Sequence, residues 1–171
     1  MATLIVPNTS YHSSWLEGSA EFEGAHRDGG GEGWSLQELR DAASFRRFVD
    51  ALVNDALPES PRKPGYVPCT YLWIVDGVTF LGSLAIRHKL NDFLLNEGGH
   101  IGYSVRPSAR RRGHAAAALA KALPLARGLG ISRALLTCDE DNAGSRATIE
   151  KNGGVYEDTR NGKRRYWVDT V

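Results

Sequence analysis

Apolar residues fall at Leu36, Leu39, Phe45, Phe48, Val49, Leu52 and Val53. Spacings of three and four predict one or two amphipathic helices in this stretch, and Ser35 and Glu38 stand as a capping box at its start. Upstream, Trp15, Leu16 and Phe22 among polar neighbours predict a helix over Ser10–Glu23. The aromatics at helical spacing, Trp15, Phe22, Phe45 and Phe48, are expected in the core. Between these segments lies "RDGGGEG", Arg27–Gly33, whose glycines predict a flexible, disordered loop. The proline-rich "PESPRKPGYVP", Pro58–Pro68, closes the helical part.

The period changes after Pro68. "CTYLWIVDGVTFLGSLAIRHKL" alternates apolar and polar positions around Asp76-Gly77, the strongest hairpin signal in the chain. "GHIGYSV" predicts a further strand that stops at Pro107. Arg112 to Arg127 is alanine-rich with Leu119 and Leu123 on one face, a helix that Pro124 is expected to kink or end early. "ISRALLTCD" predicts a strand, "NAGSRATIEKNGG" a short helix stopped by Gly153 and Gly154, and "GKRRYWVDTV" a last strand. Helices first, then β-β-β-α-β-α-β, spell one α/β domain over residues 1–171.

Composition narrows the function classes. The 171 residues are enough to bury a core, and 42% hydrophobic with 24% charged residues is ordinary for a soluble protein. Lys plus Arg number 21 against 20 for Asp plus Glu, a balance that argues against a dedicated nucleic-acid partner. Cys69 and Cys138 lie far apart in apolar runs without metal-ligand spacing, so a disulfide scaffold and a metal site are not expected. The start, "MATLIVPNTS", has no basic n-region, and no stretch approaches the roughly 20 apolar residues of a membrane span. A cytoplasmic location without membrane attachment is the expectation.

The chemistry concentrates in "VRPSARRRGHAAAAL", Val105–Leu119. A strand end must swing there into a helix, whose first N–H groups lack intrahelical partners at the positive end of the dipole. Such a turn accepts a diphosphate, Gly113 permits close approach, and arginines can add charge-assisted bonds. No Gly-Lys-Ser/Thr follows and no G-x-G-x-x-G follows a first strand, so neither a nucleoside-triphosphate loop nor a dinucleotide fingerprint is supported.

What stands there is Arg-x-x-Gly-x-Ala, Arg110 to Ala115, after a strand and before a helix. With "GHIGYSVRPSARRRGHAAAAL" before "RALLTCDEDNAGSRATIEKNGGVYED", the chain resembles the GNAT superfamily of acetyl-CoA-dependent N-acetyltransferases. The resemblance covers Cys69 to Val168. "RHKLNDFLLNEGGHIGYSVRP" is similar, more narrowly, to a small bacterial branch of that superfamily. The implied fold is an α/β domain with a mixed central sheet of about six to seven strands flanked by helices, the fourth and fifth splayed apart. Coenzyme would lie in the gap.

The resemblance implies residue roles. Backbone groups of Tyr103, Ser104 and Val105 would bond the pantetheine, and the backbone of Arg110, Arg111, Arg112, Gly113, His114, Ala115 and Ala116 the pyrophosphate. Asn142 would reach the pantetheine arm, with Ser145 and Arg146 close behind. Relatives carry a glutamate early in the fourth strand as base; here His100 stands near that place with Glu97 just before. His100 is the expected base, since its ordinary pKa near ~6.5 suits proton relay. The tyrosine that relatives use to protonate the thiolate is replaced by Ile149, which leaves Ser145, Tyr156 or solvent. His88, Asn91 and Asp92, with Glu97, are candidates for gripping the acceptor.

The expected reaction is direct attack by a primary amine on acetyl-CoA in a ternary complex, the amine belonging to an amino acid, polyamine or antibiotic-like molecule. A protein Nα- or lysine acetyltransferase is the alternative within enzymes. From another class, a non-catalytic acyl-CoA sensor is kept in view by the missing glutamate and tyrosine. The resemblance leaves a homodimer open.

Overall fold

Strand β2 (Cys69–Asp76) turns through Gly77 and Val78 into β3 (Thr79–Arg87), with Leu72 opposite Leu84 and Trp73 opposite Ser83. Gly77 has φ +58°, the left-handed backbone that this tight turn needs. The computed structural model describes residues 1–171 throughout. On the outer side of β2 pairs β1 (Thr3–Ile5), a strand too short for any period to announce. On the other side of β3 pairs β4 (Ile101–Val105), completing an antiparallel half-sheet ordered β1-β2-β3-β4. A second half-sheet has the order β5-β7-β6, from β5 (Arg133–Asp139), β6 (Val155–Arg160) and β7 (Lys163–Asp169).

Alternation along the strands sends side chains to two cores. Trp73, Val75 and Phe80 meet Trp15 of α1 (His12–Ala20) and Phe45, Phe48, Val49 and Leu52 of α2 (Ala42–Asn54). Leu72, Ile74, Leu84, Ile86 and Ile101 face the other way, onto α3 (His114–Gly128), with Ile149 of α4 (Ala143–Lys151) and Leu136, Tyr166 and Val168 of the second half-sheet. β3 is covered on both faces, which is why only its first and last residues reach solvent. The result is an α/β fold with a mixed, split sheet and helices on both faces, as the resemblance implied. Both cysteines are buried and unpaired. No helix is long and apolar enough to cross a membrane.

Several local expectations are corrected. The Ser35 hydroxyl does accept the Glu38 N–H at 3.1 Å, but it caps only a 3-10 turn, Glu38–Arg40. The helix proper begins after Asp41, whose extended backbone (ψ 129°) breaks the run and whose carboxylate takes the Ser44 N–H. Pro124 does not end α3, which continues to Gly128. It sits on the exposed side, while the buried stripe Ala118, Leu119, Ala122, Leu123 and Ala126 holds the helix against the sheet. The Arg27–Gly33 loop is seated rather than free. A side chain at Gly29 would come within 2.6 Å of the Gly102 carbonyl oxygen and 3.0 Å of the Ala85 nitrogen. Only a glycine, here at φ +74°, lets the loop lie directly on β3 and β4.

Candidate active site

The two half-sheets meet at a single backbone hydrogen bond, from His100 N–H to the Leu135 carbonyl at 2.7 Å. Gly99, at φ +68°, allows that approach, since a Cβ there would lie 2.6 Å from the same carbonyl oxygen. Beyond this point β4 pairs with no strand on its β5 side, and the gap opens. The Tyr103 phenol reaches across it to α4, 2.9 Å from the Ser145 hydroxyl. Burial pushes that phenol up to about 12, so it keeps its proton at neutral pH.

At the far end of β4 the chain passes through a 3-10 turn, Pro107–Ala109, and enters α3 with Arg111 at φ +64° and Gly113 at φ +79°. Six consecutive backbone N–H groups, Arg111 to Ala116, have no hydrogen-bond partner within the chain. Nothing lies within 4 Å of where a Gly113 side chain would start, so the concavity faces outward. Donors of this kind at a helix start can bind a diphosphate. The arginine side chains play lesser parts. Arg110 folds back, its Nε donating to the Val105 carbonyl at 3.0 Å, while Arg111 and Arg112 are exposed. His114 lies beside Ala2, Thr3 and Leu4, so only its backbone joins the row.

Glu21, just past α1, holds this turn in place and was not foreseen. Its carboxylate accepts the Ser108 N–H at 2.9 Å, the Ser108 hydroxyl at 2.9 Å and the Arg106 guanidinium at 2.5 Å. The Arg106 bond, helped by those from Ser108, holds its pKa down to about 2. A partner 85 residues away leaves no trace in local pattern.

Asn142 caps α4, its Oδ1 accepting the Ser145 N–H at 3.0 Å, which leaves its amide NH2 free. Arg146 lies on the exposed face of α4 against Glu150. Ile149 is fully buried in the core.

On the opposite side of β4, residues 95–98 form part of one π-helical turn, Leu94–Gly98. Each of the four is gripped by a side chain from elsewhere. Arg165 Nε donates to the Leu95 carbonyl (2.9 Å) and Arg160 Nη1 to Asn96 Oδ1 (2.9 Å). Thr137 Oγ1 donates to the Glu97 carbonyl (2.6 Å) and Arg87 Nη1 to the Gly98 carbonyl (3.0 Å). The Glu97 carboxylate lies 3.5 Å from the Asn161 amide in the β6–β7 turn. Lys163 in that hairpin is raised chiefly by its bond to Asp139, and Asp28 and Glu97 add to the shift. Asp28 of the glycine loop and Glu97 of the π-turn thus lie within electrostatic reach of Lys163 in the hairpin.

Two of the acceptor candidates, Asn91 and His88, have their side chains tied into the fold. Asn91 uses both amide atoms on backbone, donating to the Gly65 carbonyl (2.7 Å) and accepting the Leu94 N–H (2.9 Å). His88 is bonded to the Thr70 hydroxyl at 2.7 Å, and burial lowers its pKa. The Asp92 carbonyl anchors the Asn96 amide, and its side chain is exposed. His100 also has a different job from the one expected. Its Nδ1 accepts the Leu135 N–H at 2.9 Å, which spends the one basic lone pair of a neutral imidazole. It clasps the half-sheets together and is not free to take a proton.

Burial, with Arg87 adding, pushes His100 down to about 4. The unfolded chain binds that proton near ~6.5, so stability is full above that pH and is lost as pH falls toward 4, by about 3 kcal/mol at the limit. Urea melts of the wild type should lose stability over this window. His100→Gln, which still accepts a hydrogen bond but does not titrate, should flatten that slope; an unchanged slope would refute the assignment.

A family model described as an acetyltransferase (GNAT) domain matches residues 25–155. Among solved structures, Mycobacterium smegmatis RimJ in complex with CoA-disulfide is similar with a TM-score of 0.70 and 19% identity, over 98% of this chain and 81% of that one. The ribosomal-protein-S5-alanine acetyltransferase of Vibrio fischeri gives 0.65 and 12% identity, over 97% and 90%. The microcin C7 self-immunity acetyltransferase MccE, in complex with acetyl-CoA and AMP, gives 0.64 and 18%, over 98% and 92%. At these identities the likeness is one of fold. No curated protein matches the chain in sequence.

Proposed function

The chain belongs to the GNAT acetyltransferase family, and on that premise we propose that it transfers acetyl from acetyl-CoA to the α-amino group at a polypeptide N-terminus. The observation that carries the donor half is the row of six unpartnered N–H groups at Arg111–Ala116, set at the end of a strand edge that pairs with nothing. The pyrophosphate binds that row, and the pantetheine runs along Tyr103, Ser104 and Val105 toward the His100 clasp, with the free amide of Asn142 beside it. One of the structural neighbours is a ribosomal-protein-S5-alanine acetyltransferase, which supports a polypeptide acceptor. So do the exposed Tyr66, bonded to Glu32 of the glycine loop at 2.8 Å, and Phe93, beside Gly98 of the π-turn, 55% and 63% accessible, which offer apolar surface to residues that follow the terminal one.

In this reading Glu97 replaces His100 as the proton acceptor. It is a carboxylate in a turn fixed at four consecutive positions, and it acts directly or through water. The amine attacks the thioester carbon, the C–S bond breaks, and the thiolate leaves toward the Tyr103–Ser145 pair. Tyr103 donates a hydrogen bond to the sulfur, whose pKa near ~8.5 needs little further help before solvent protonates it. Positioning supplies much of the rate.

A small-molecule amine is the second reading, favoured by the Gly29 seat and by the Ser104 hydroxyl holding the Asp28 carbonyl at 2.9 Å, which bring the glycine loop down over the strand. Thiol release from acetyl-CoA, with mass analysis of the acceptor, separates the two. Peptides with a free N-terminus should turn over and their N-blocked counterparts should not. Turnover confined to small amines would select the second reading. Coenzyme binding without turnover on any amine would select the non-catalytic sensor.

A further inference from the structure

Eight lysine and arginine side chains of this protein are buried or half-buried. Five of them, Arg62, Arg106, Arg160, Lys163 and Arg165, meet a carboxylate. Arg27 lies over the Trp15 ring at 5.1 Å and Arg164 over the Tyr156 ring at 4.2 Å. Arg87 has neither a carboxylate nor an aromatic ring. It donates through Nη1 alone, to the carbonyls of Gly98 (3.0 Å) and Gly99 (3.5 Å). No buried side-chain nitrogen or oxygen in the molecule lacks a partner, so the remaining donors, Nε and Nη2, face solvent. A half-buried cation without counter-charge is costly unless something else supplies the charge.

Its place says what that something is. In the register, Arg87 stands opposite Cys69, and Ala85 stands opposite both Tyr71 and Gly102, so these side chains share the face that the glycine loop covers. The guanidinium lies flat on Gly102, where a Cβ would be 3.2 Å from Nη1 and 3.4 Å from Nη2. Gly29 rests on the carbonyl of the same Gly102. Arg87 therefore sits where the glycine loop, the π-turn and β4 converge, and the acid Glu97 belongs to the same π-turn, next to the Gly98 carbonyl that Arg87 holds. Such polarity fits an acceptor that carries an ammonium at one end and an anion near it.

We infer that Arg87 selects the acceptor by binding one of its carboxylates through Nε and Nη2. The inference rests on the acetyltransferase reading of this cleft and narrows it: acceptors with a carboxylate close to the amine are preferred, and polyamines are rejected by like charge. The carboxylate has two sources, the α-carboxylate of a free amino acid or an acidic side chain in the first residues of a peptide.

Matched pairs distinguish them. Free amino acids are compared with their amides, and peptides beginning with acidic residues with their Asn and Gln counterparts. Each pair is measured for turnover, and its N-acetylated product is titrated calorimetrically onto the CoA-loaded protein. The wild type should prefer the charged member of one pair, and that pair names the source. Arg87→Gln should raise KM for the charged member, and weaken binding of its acetylated product, by about 10- to 100-fold, the range for losing a charged hydrogen bond. The KM for the neutral member and for acetyl-CoA should not move, while kcat falls alike for both members because Arg87 also ties the π-turn through the Gly98 carbonyl. Arg87→Lys should recover part of the loss, which a merely structural role through Gly98 would not predict. If Arg87→Gln leaves the charged-to-neutral ratio unchanged in both turnover and product binding, the inference is overturned. Product binding that discriminates without turnover on any acceptor would instead overturn the acetyltransferase reading and keep Arg87 as an anion site.

Discussion

Gly113→Asp is expected to weaken coenzyme A binding by about 100-fold while leaving the fold intact. The position has φ +79° and open space where a side chain would begin, so the substitution introduces backbone strain but no clash within the protein. That strain is worth about 1 kcal/mol, and Gly113→Ala should show it alone as a small drop in melting temperature. The aspartate adds a negative charge amid the six N–H groups that would face the pyrophosphate. At ~4 Å two unit charges repel by about 4 kcal/mol at an effective dielectric of ~20, and salt reduces this. Calorimetric titration of coenzyme A onto wild type, Gly113→Ala and Gly113→Asp checks it. Equal affinities for the Ala and Asp variants would remove the phosphate assignment from this turn.

Arg165→Met should give the largest loss of stability among substitutions around the cleft. Arg165 is 1% exposed, yet its guanidinium pairs with both Glu157 and Asp158 and its Nε holds the Leu95 carbonyl. Methionine fills much of the volume but leaves that carbonyl unpaired and removes one of the ties between the β6–β7 hairpin and the π-turn. The two carboxylates are 45% and 39% exposed, so water recovers part of their solvation. A net loss of about 2–4 kcal/mol follows, or roughly 5–12 °C in Tm for a chain of this size. Since the same side chain fixes Leu95, two residues before Glu97, kcat should fall while the KM for acetyl-CoA stays put. A thermal melt beside steady-state kinetics tests both parts.

The contrast between Gly113 and Arg165 shows what could be read in advance. Gly113 belongs to a contiguous motif, Arg110 to Ala115, between a strand and a helix, so local order alone announces the turn. The Asp76-Gly77 hairpin, the Asn142 cap and the strands on either side were legible for the same reason: each is decided within a few residues. What escaped depends on distant partners. The His100 imidazole is claimed by Leu135, 35 residues on, and that bond changes the residue from a base into a clasp. Glu21 finds Arg106 and Ser108 through the tertiary fold. Pro124 was expected to stop a helix because the rule is local, whereas the buried stripe that overrides it is not. The glycine loop looked mobile because its composition lacks side chains, and that same lack is what seats it on β4.

The single backbone bond between the half-sheets has a consequence for how the chain reaches its native state. Every strand pair of the first half lies within residues 3–105 and every pair of the second within residues 133–169, so neither ladder needs the other to close. The gap between them is completed only when both are in place, so it is the last part of the structure expected to form. A ligand that spans such a seam holds the native state by mass action, by about 2.7 kcal/mol at a hundred times its Kd. Acetyl-CoA would then serve this protein twice, as the acetyl donor in each turnover and as the strut that keeps its two halves docked between turnovers.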